Sequence, residues 1–320
     1  MRAAPADVSE LVERAVKGEA RAVARLISLV EDASPLLREA MAALAPHTGH
    51  ARVIGLTGSP GVGKSTSTNA LVGEYRSRGL RVGVLAVDPS SPFSGGALLG
   101  DRVRMQDHAT DSGVYIRSMA SRGHLGGLAW TTPQALRVLD AAGCDVVLVE
   151  TVGVGQAEVE IASLADSTVV LVAPGMGDSI QAAKAGILEV ADVFVVNKAD
   201  RDGADATARD LRHMLSLGDR TEGSWVPPIV KTVASRGEGV AEVVDALERH
   251  DAWLRSSGRL DARRRERAAD EVEAIAVTSL RERMGDLRGG RLLDTLAGRV
   301  VAGEIDPYAA ADQLVAGVTG

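Results

Sequence analysis

The feature that most constrains this chain is a glycine-rich segment of residues 58–66, which lies between an apolar run and a helical pattern. The fixed positions of the phosphate-binding pattern G-x-x-x-x-G-K-[ST] are filled by Gly58, Gly63, Lys64 and Ser65. Glycines allow the tight turn that aims backbone N–H groups at phosphate oxygens, and the following helix adds the positive end of its dipole. The alternative is a glycine turn with a purely structural role, but such a turn gives no reason for a lysine at position 64. The segment therefore predicts binding of a nucleoside triphosphate.

Strand-like and helix-like stretches alternate after this loop. Near-continuous Val, Leu and Ile runs predict strands buried on both faces, at residues 53–57, 81–87, 114–117, 145–149, 167–173, 193–196 and 228–233. The stretches between them carry helical periodicity, as expected for crossover helices. We predict an α/β fold with a mostly parallel central sheet flanked by helices, and a ligand site at the carboxyl ends of the strands.

Two helical regions flank this part of the chain, so the predicted division is 1–50, 51–255 and 256–320. The first is a helical N-terminal extension packed on the nucleotide domain. The last begins with an arginine-rich run, 259–267, which we interpret as a solvated helix face rather than a nucleic-acid patch. An apolar stripe follows it and needs a partner, either the nucleotide domain or a second subunit. We favour a dimerisation arm.

Composition narrows the function classes. The chain has 320 residues and a net charge of -7, which argues against broad nucleic-acid binding. The single cysteine, Cys144, excludes an intrachain disulfide and a cysteine metal cluster. No apolar run approaches the ~20 residues of a membrane span, and the first residues lack the apolar core of a signal peptide. We expect a cytoplasmic protein without a membrane partner.

Acidic residues follow two of the predicted strands. Glu150 ends the strand at 145–149 and has Gly153 three residues on, so its carboxylate could hold Mg²⁺ while the Gly153 N–H approaches a γ-phosphate. Asp88 follows the second strand, and Asp101 lies further along. From spacing alone, each of these two is as compatible with a helix cap or a surface ion pair as with a metal site.

A base-reading motif follows the strand at 193–196. Asn197, Lys198 and Asp200 form N-K-x-D, in which the Asp200 carboxylate can accept two hydrogen bonds from N1–H and the 2-amino group of guanine. Adenine has neither donor, so the motif after a phosphate loop predicts guanine selectivity. Ala234 and Ser235 form a loop that could support the base through its backbone.

Taken together, these segments resemble the methylmalonyl-CoA-mutase-associated GTPases (MeaB/MMAA type), a branch of P-loop GTPases shared with nickel-delivery GTPases and sometimes labelled ArgK-type transport kinases. The resemblance spans residues 21–308 and rests on TGSPGVGKST, VDPSSPFSGG, LGDRVRM, RGHLGGL, VETVGVGQ and NKAD. It implies a homodimeric GTPase chaperone that gates loading of the cofactor into an adenosylcobalamin-dependent mutase and protects or reactivates that enzyme.

The resemblance also assigns roles to single residues. It implies GTP/GDP and Mg²⁺ as ligands, with Ser65, Asp88, Asp101 and Glu150 in the metal and hydrolysis network beside Lys64. It implies three switches, at 93–105, 150–156 and 174–184. The nucleotide-binding set is Gly58, Ser59, Pro60, Gly61, Val62, Gly63, Lys64, Ser65, Thr66, Gly153, Asn197, Lys198, Asp200, Ala234 and Ser235, and the switch set is Phe93, Arg102, Gln156, Asp178 and Lys184.

Two other functions compete with the GTPase chaperone. A nickel-type metallochaperone would require a Cys/His cluster or a His-rich tract, and the sequence has one cysteine and six scattered histidines. A kinase acting on a transport protein would use ATP, for which a guanine-reading Asp200 has no purpose.

Overall fold

A parallel sheet of seven strands forms the centre of the chain in a computed structural model that describes residues 8–89, 107–108, 110–121, 131–151, 157–175, 190–217, 223–284 and 291–319. The strands are β1 (Arg52–Thr57), β2 (Val82–Pro89), β3 (Val114–Ser121), β4 (Val146–Thr151), β5 (Ser167–Val172), β6 (Val193–Val196) and β7 (Ile229–Lys231). Their order is β3-β2-β4-β1-β5-β6-β7, and neighbouring strands pair in parallel. The predicted α/β class with a parallel sheet is confirmed.

The helices of the described residues flank this sheet or lie at the two ends of the chain. They are α1 (Val8–Val16), α2 (Ala20–Glu31), α3 (Leu37–Leu44), α4 (Lys64–Ser77), α5 (Thr132–Ala141), α6 (Ala157–Leu164), α7 (Ala204–Ser216), α8 (Val240–Ser256), α9 (Arg259–Met284), α10 (Arg291–Val301) and α11 (Pro307–Thr319). None of the described helices combines the length and apolar character needed to cross a bilayer.

The sheet is buried by helices on both faces. One face carries an aliphatic core that joins α1, α2 and α3 to α5, with Leu26, Leu44 and Leu139 almost fully buried. The other face packs on α4 and α8. The N-terminal helices therefore pack against the α5 side of the sheet.

Two predicted strand ends differ from the structure. β2 and β3 continue past their apolar runs to Pro89 and Ser121, which are register partners. The apolar pattern ends before the strands do, because main-chain pairing between them continues to Pro89 and Ser121 whatever the side chains are.

Residues 1–264 and 265–320 form two compact units. The second contains the rest of α9, together with α10 and α11, and buries Leu296 and Ala310. It also carries large apolar side chains that are strongly exposed, among them Val272 at 67%, Val301 at 89% and Tyr308 at 85%. The functional division at 50 and 255 stays a prediction.

Residues 259–267 are mostly exposed, as the solvated-face interpretation predicts, but two arginines at the start of α9 contact buried carboxylates. Arg264 donates to both carboxylate oxygens of Asp166, with the shorter contact at 2.9 Å, and to the carbonyl oxygen of Ala51. Arg263 donates to the carboxylate of Asp192 at 3.2 Å from each of two nitrogens. Asp166 and Asp192 are buried at the amino ends of β5 and β6, where each carboxylate needs a cationic partner.

Asp192 has further partners at this edge. Its carboxylate accepts the Thr168 N–H at 2.9 Å and lies 3.2 Å from the ring nitrogen Nε2 of the fully buried His250. Burial by itself would raise the pKa of Asp192, but His250 and Arg263 outweigh it and hold that pKa below its usual range. A depressed carboxyl pKa stabilises the fold above the unfolded-state pKa, and that contribution is lost as the pH falls through the folded-state pKa.

We expect Arg264→Gln to lower the free energy of unfolding by about 3 kcal/mol, because it removes the guanidinium that contacts both oxygens of the buried Asp166 carboxylate. The measurement is the urea midpoint by circular dichroism. The neighbouring, exposed Arg265→Gln removes the same charge and should change stability by less than about 0.5 kcal/mol. Equal losses in the two variants would contradict a specific role for the Arg264–Asp166 pair.

Candidate nucleotide-binding site

The phosphate loop connects the carboxyl end of β1 to the first residue of α4, and three of its glycines adopt positive φ. These angles are 141° at Gly58, 81° at Gly61 and 97° at Gly63. A Cβ atom on Gly58 would lie 2.3 Å from the Leu171 carbonyl oxygen, and one on Gly63 would lie 2.5 Å from Nδ2 of Asn197. Both positions therefore exclude a side chain on steric and conformational grounds.

Lys64 is the first residue of α4 and places its ammonium group within the loop. The side chain is buried, and Nζ donates to the carbonyl oxygens of Gly58 at 2.6 Å and Ser59 at 3.2 Å. These carbonyls hold the charge at the helix N-terminus, where backbone N–H groups and the helix dipole already favour an anion. The arrangement suits phosphate oxygens, which can replace neutral carbonyls as acceptors of a charged donor.

A buried carboxylate lies next to this helix terminus. Glu150 pairs in register with Leu56 of β1, so it comes to the edge of the sheet beside the phosphate loop. Its Oε1 accepts the Ser65 hydroxyl at 2.7 Å, and its Oε2 accepts the Thr68 hydroxyl at 3.0 Å. The predicted pair of Ser65 and Glu150 is thus in direct contact.

The Ser65–Glu150 pair fits the donor set of a magnesium ion. Mg²⁺ takes oxygen ligands and uses one or two protein groups together with phosphates and waters. Ser65 offers a hydroxyl, and Glu150 offers a carboxylate that could bind the ion directly or orient the hydroxyl. Within the described residues, no group of three or more His, Cys, Asp and Glu side chains could hold a metal.

Thr68 is a contact that the sequence argument missed. It lies three residues after Ser65 and therefore on the same face of α4, and it occupies the second oxygen of Glu150. Helical spacing from the serine of the phosphate-loop motif would have been the signal for it.

Asn197 joins the base-reading loop to the phosphate loop. The side chain is buried, and its Nδ2 donates to the Val62 carbonyl oxygen at 2.9 Å. Its Oδ1 accepts the Thr232 hydroxyl and the Ala234 N–H, each at 3.1 Å. Three hydrogen bonds of one amide thus tie together three loops at the carboxyl edge of the sheet.

Lys198 makes a second connection between these loops. It adopts φ +57°, and its Nζ donates to the Gly61 carbonyl oxygen at 2.6 Å. Asp200, two residues on, has a side chain that is 41% exposed and forms an ion pair with Arg236 at 3.6 Å. The loop therefore presents an accessible carboxylate beside a phosphate-binding loop.

The loop after β7 contributes backbone groups. Ala234 directs its N–H to Asn197, so it is engaged in holding the loop together. Ser235 follows it in the same short turn, and its role at the base stays a prediction.

A sequence profile described as "Methylmalonyl Co-A mutase-associated GTPase MeaB" matches residues 23–287. The chain belongs to the MeaB family of GTPases. A protein of Pyrococcus abyssi that is named as a GTPase is 49% identical over 316 residues, which cover 98% of this chain and 97% of that protein. GTPase ArgK of Escherichia coli K12 is 38% identical over 273 residues, or 83% of this chain and 82% of its own length.

A mouse protein and a crystal structure extend these likenesses. The "Methylmalonic aciduria type A homolog, mitochondrial" of Mus musculus is 40% identical over 214 residues, 66% of this chain and 52% of that protein. A crystal structure of a LAO/AO transport system kinase superposes with a TM-score of 0.75 at 28% identity and full coverage of both chains. The resemblance read from the sequence motifs is confirmed, and membership in a GTPase family implies a site for guanine nucleotide.

The remaining predicted site residues of this MeaB-family chain fall into three groups. The phosphate loop and the first turn of α4 contain the first group, which is Ser59, Pro60, Gly61, Val62 and Thr66. The backbone of Asp88 lies near the carboxyl end of β2, and its side chain is outside the described part. The positions outside the described residues are Phe93, Asp101, Arg102, Gly153, Gln156, Asp178 and Lys184.

We expect Glu150→Gln to reduce Mg²⁺-dependent GTP hydrolysis about tenfold to a hundredfold, because an amide offers one oxygen where the carboxylate accepts two hydroxyls. Affinity for GDP without Mg²⁺ should change less than about threefold, since the phosphate loop stays intact. Phosphate release against Mg²⁺ concentration measures the effect. Glu74→Gln is the matched control, because Glu74 lies on α4 and pairs with Arg78 instead of with Ser65 and Thr68.

Proposed function

We propose that this chain hydrolyses GTP to GDP and phosphate and acts as a homodimeric chaperone of an adenosylcobalamin-dependent acyl-CoA mutase, with methylmalonyl-CoA mutase as the first candidate. In this role it gates cofactor loading and protects or reactivates the mutase. The observation that carries the proposal is the link through Asn197 between a phosphate loop and a guanine-reading loop. The family description and the mouse relative's name supply the mutase connection.

The proposed reaction depends on charge neutralisation and positioning. Backbone N–H groups of the loop and the Lys64 ammonium would hold the β- and γ-phosphate oxygens as charge develops on the leaving group. Ser65 and Glu150 would hold Mg²⁺, which when bound supplies positive charge to those phosphates. Asp88 and Asp101 remain our candidates for positioning water or metal.

We propose that the nucleotide state of this chain changes how tightly it binds the mutase. The predicted switches at 93–105, 150–156 and 174–184 come at or after the ends of β2, β4 and β5 along the chain. For nucleotide state to alter affinity for a mutase, the two states must make different contacts with it. We assign the nucleotide sensing to Gly153 and the contact roles to Phe93, Arg102, Gln156, Asp178 and Lys184.

The test is the rate of phosphate release from GTP with and without a purified acyl-CoA mutase, together with co-elution of the two proteins. We expect slow turnover by the chain alone and faster turnover with its cognate mutase. Co-elution should depend on whether GDP or a non-hydrolysable GTP analogue is bound. Equal rates and no co-elution with any acyl-CoA mutase would overturn the chaperone role and leave the GTPase assignment standing.

Dimerisation is assigned to the C-terminal helices because strongly exposed apolar side chains there, such as Val272 and Tyr308, favour burial against a second copy. Sedimentation equilibrium should give a dimer for the chain. Val272→Glu should weaken it, whereas Glu273→Gln in the next position should not. A monomer at micromolar concentration would contradict this assignment.

A kinase acting on a transport protein is the second candidate, because the superposed crystal structure carries that title. The exposed carboxylate of Asp200 opposes it, since an ATP kinase gains nothing from an acceptor for guanine. Nucleotide competition discriminates between the two. Displacement of bound GDP by ATP as effectively as by GTP would favour the kinase.

A further inference from the structure

A short fixed turn faces the base-reading carboxylate. It spans residues 233–239 and is closed by a hydrogen bond from the Val233 N–H to the Glu238 carbonyl oxygen at 3.0 Å. Gly237 and Gly239 adopt φ of 73° and 76°. A Cβ on Gly239 would lie 2.2 Å from the Lys231 carbonyl oxygen, so this backbone permits little variation.

The turn holds one arginine between two carboxylates. Arg236 donates from Nε to Oε1 of Glu238 at 2.7 Å and from Nη2 to Oε2 at 3.4 Å. Its third nitrogen, Nη1, lies 3.6 Å from Oδ2 of Asp200. These two acids raise the pKa of the Arg236 guanidinium above its ordinary value, Glu238 more strongly than Asp200. Among the described residues, Arg236 is the only cation paired with Asp200.

The Arg236 guanidinium competes with a guanine base for the Asp200 carboxylate. Guanine needs both oxygens of Asp200, one for N1–H and one for the 2-amino group, while the guanidinium lies beside one of them. A base that enters therefore competes with this cation for one oxygen of the carboxylate. Glu238 limits the competition, because it accepts two hydrogen bonds from the same guanidinium and draws it away.

We propose that Arg236 is a specificity-tuning residue that occupies Asp200 when the base site is empty and thereby weakens guanine nucleotide binding, and that Glu238 restrains it. The proposal rests on the guanine-nucleotide function proposed above. The affinity for guanine nucleotide then depends on whether the Arg236 guanidinium pairs with Asp200 or with Glu238. The effects are small, because exposed ion pairs are weak.

Removing Arg236 and removing the Glu238 carboxylate should change the affinity for GDP in opposite directions. Arg236→Gln should bind GDP about two- to fivefold more tightly, because Asp200 is released. Glu238→Gln should bind GDP about two- to fivefold more weakly, because Arg236 is then free to engage Asp200. The double variant should behave as Arg236→Gln alone, since Glu238 acts only through Arg236.

Titration with a fluorescent GDP analogue, competed with unlabelled GDP, measures these affinities. Arg209→Gln and Glu242→Gln, both exposed, remove the same charges elsewhere and should leave affinity within the error of the wild type. Inorganic pyrophosphate tests the phosphate site alone, and its inhibition constant should be the same in the wild type and Arg236→Gln.

Unchanged or weaker GDP binding by Arg236→Gln would overturn the inference, as would tighter binding by Glu238→Gln. If the inhibition constant of pyrophosphate changed as much as the GDP affinity in Arg236→Gln, the effect would be one of general charge, and the inference would again be overturned. Wild-type protein that does not prefer GDP to ADP would instead overturn the proposed guanine-nucleotide function, which separates the two failures.

Discussion

Asp200→Asn is expected to change the preferred base from guanine to xanthine. The substitution replaces one carboxylate oxygen by an NH₂ donor, which would face the N1–H or 2-amino donors of guanine. Two charge-assisted hydrogen bonds are lost and donors are set against each other, so we expect about a hundredfold loss of GDP affinity. Xanthine carries an oxygen in place of the 2-amino group and can accept from the new amide.

The measurement is competition of GDP and xanthosine diphosphate against a fluorescent GDP analogue for the wild type and a fluorescent xanthosine diphosphate analogue for the variant. Asp202→Asn is the matched control, because Asp202 is an exposed carboxylate two residues along the chain. It should leave the base preference unchanged. Loss of affinity for both diphosphates in Asp200→Asn, with no preference for xanthine, would indicate that Asp200 supports the loop rather than reads the base.

The places of the glycine-rich loop and of the N-K-x-D loop in the fold could be predicted, because each depends on local sequence. A strand, a glycine turn and a lysine at a helix start specify the phosphate loop within a few residues, and positive φ at Gly58 and Gly63 accounts for two of the fixed glycines. The parallel sheet followed from apolar runs separated by helical stretches. The register that sets Glu150 beside Leu56 then brings the predicted acid to Ser65.

Contacts between distant segments could not be predicted in the same way. The sequence suggests that Arg263 and Arg264 are surface charges, because their sequence neighbours are charged and helical. Yet Arg264 pairs with Asp166, 98 residues earlier in the chain, and Arg263 pairs with Asp192, 71 residues earlier. Nothing local marks an aspartate before a strand as buried and in need of a cation. The contact of Thr68 with Glu150 is different, because the helical spacing of Thr68 from Ser65 gives a local signal for it.

The two sites that sequence analysis treated separately form one connected unit in the structure. Asn197 binds the backbone of Val62, Lys198 binds that of Gly61, and Ala234 donates to Asn197. A base bound at Asp200 would therefore be positioned by groups that also fix the phosphate loop. This connection is why we expect the phosphate and base contacts to contribute cooperatively to affinity.

Lys64→Ala should lower the affinity for GTP and the rate of its hydrolysis together, with a loss of about a thousandfold in kcat/KM. The Lys64 ammonium is buried within the loop and held by two carbonyl oxygens, so its removal takes away the charge nearest to the phosphates. Phosphate release and nucleotide titration measure the two losses. Because the glycines that fix the loop backbone remain, circular dichroism and thermal unfolding should stay close to the wild type.

Lys231→Ala is the matched control for this prediction. Lys231 is an exposed lysine of β7 that pairs with Asp205, so the variant removes one lysine charge without touching the phosphate loop. Its kcat/KM should stay within about twofold of the wild type. Retained hydrolysis in Lys64→Ala, or an equal loss in Lys231→Ala, would show that the buried ammonium is not what neutralises the phosphates. The carbonyl contacts of Lys64 would then serve only to close the loop around residues 58–63.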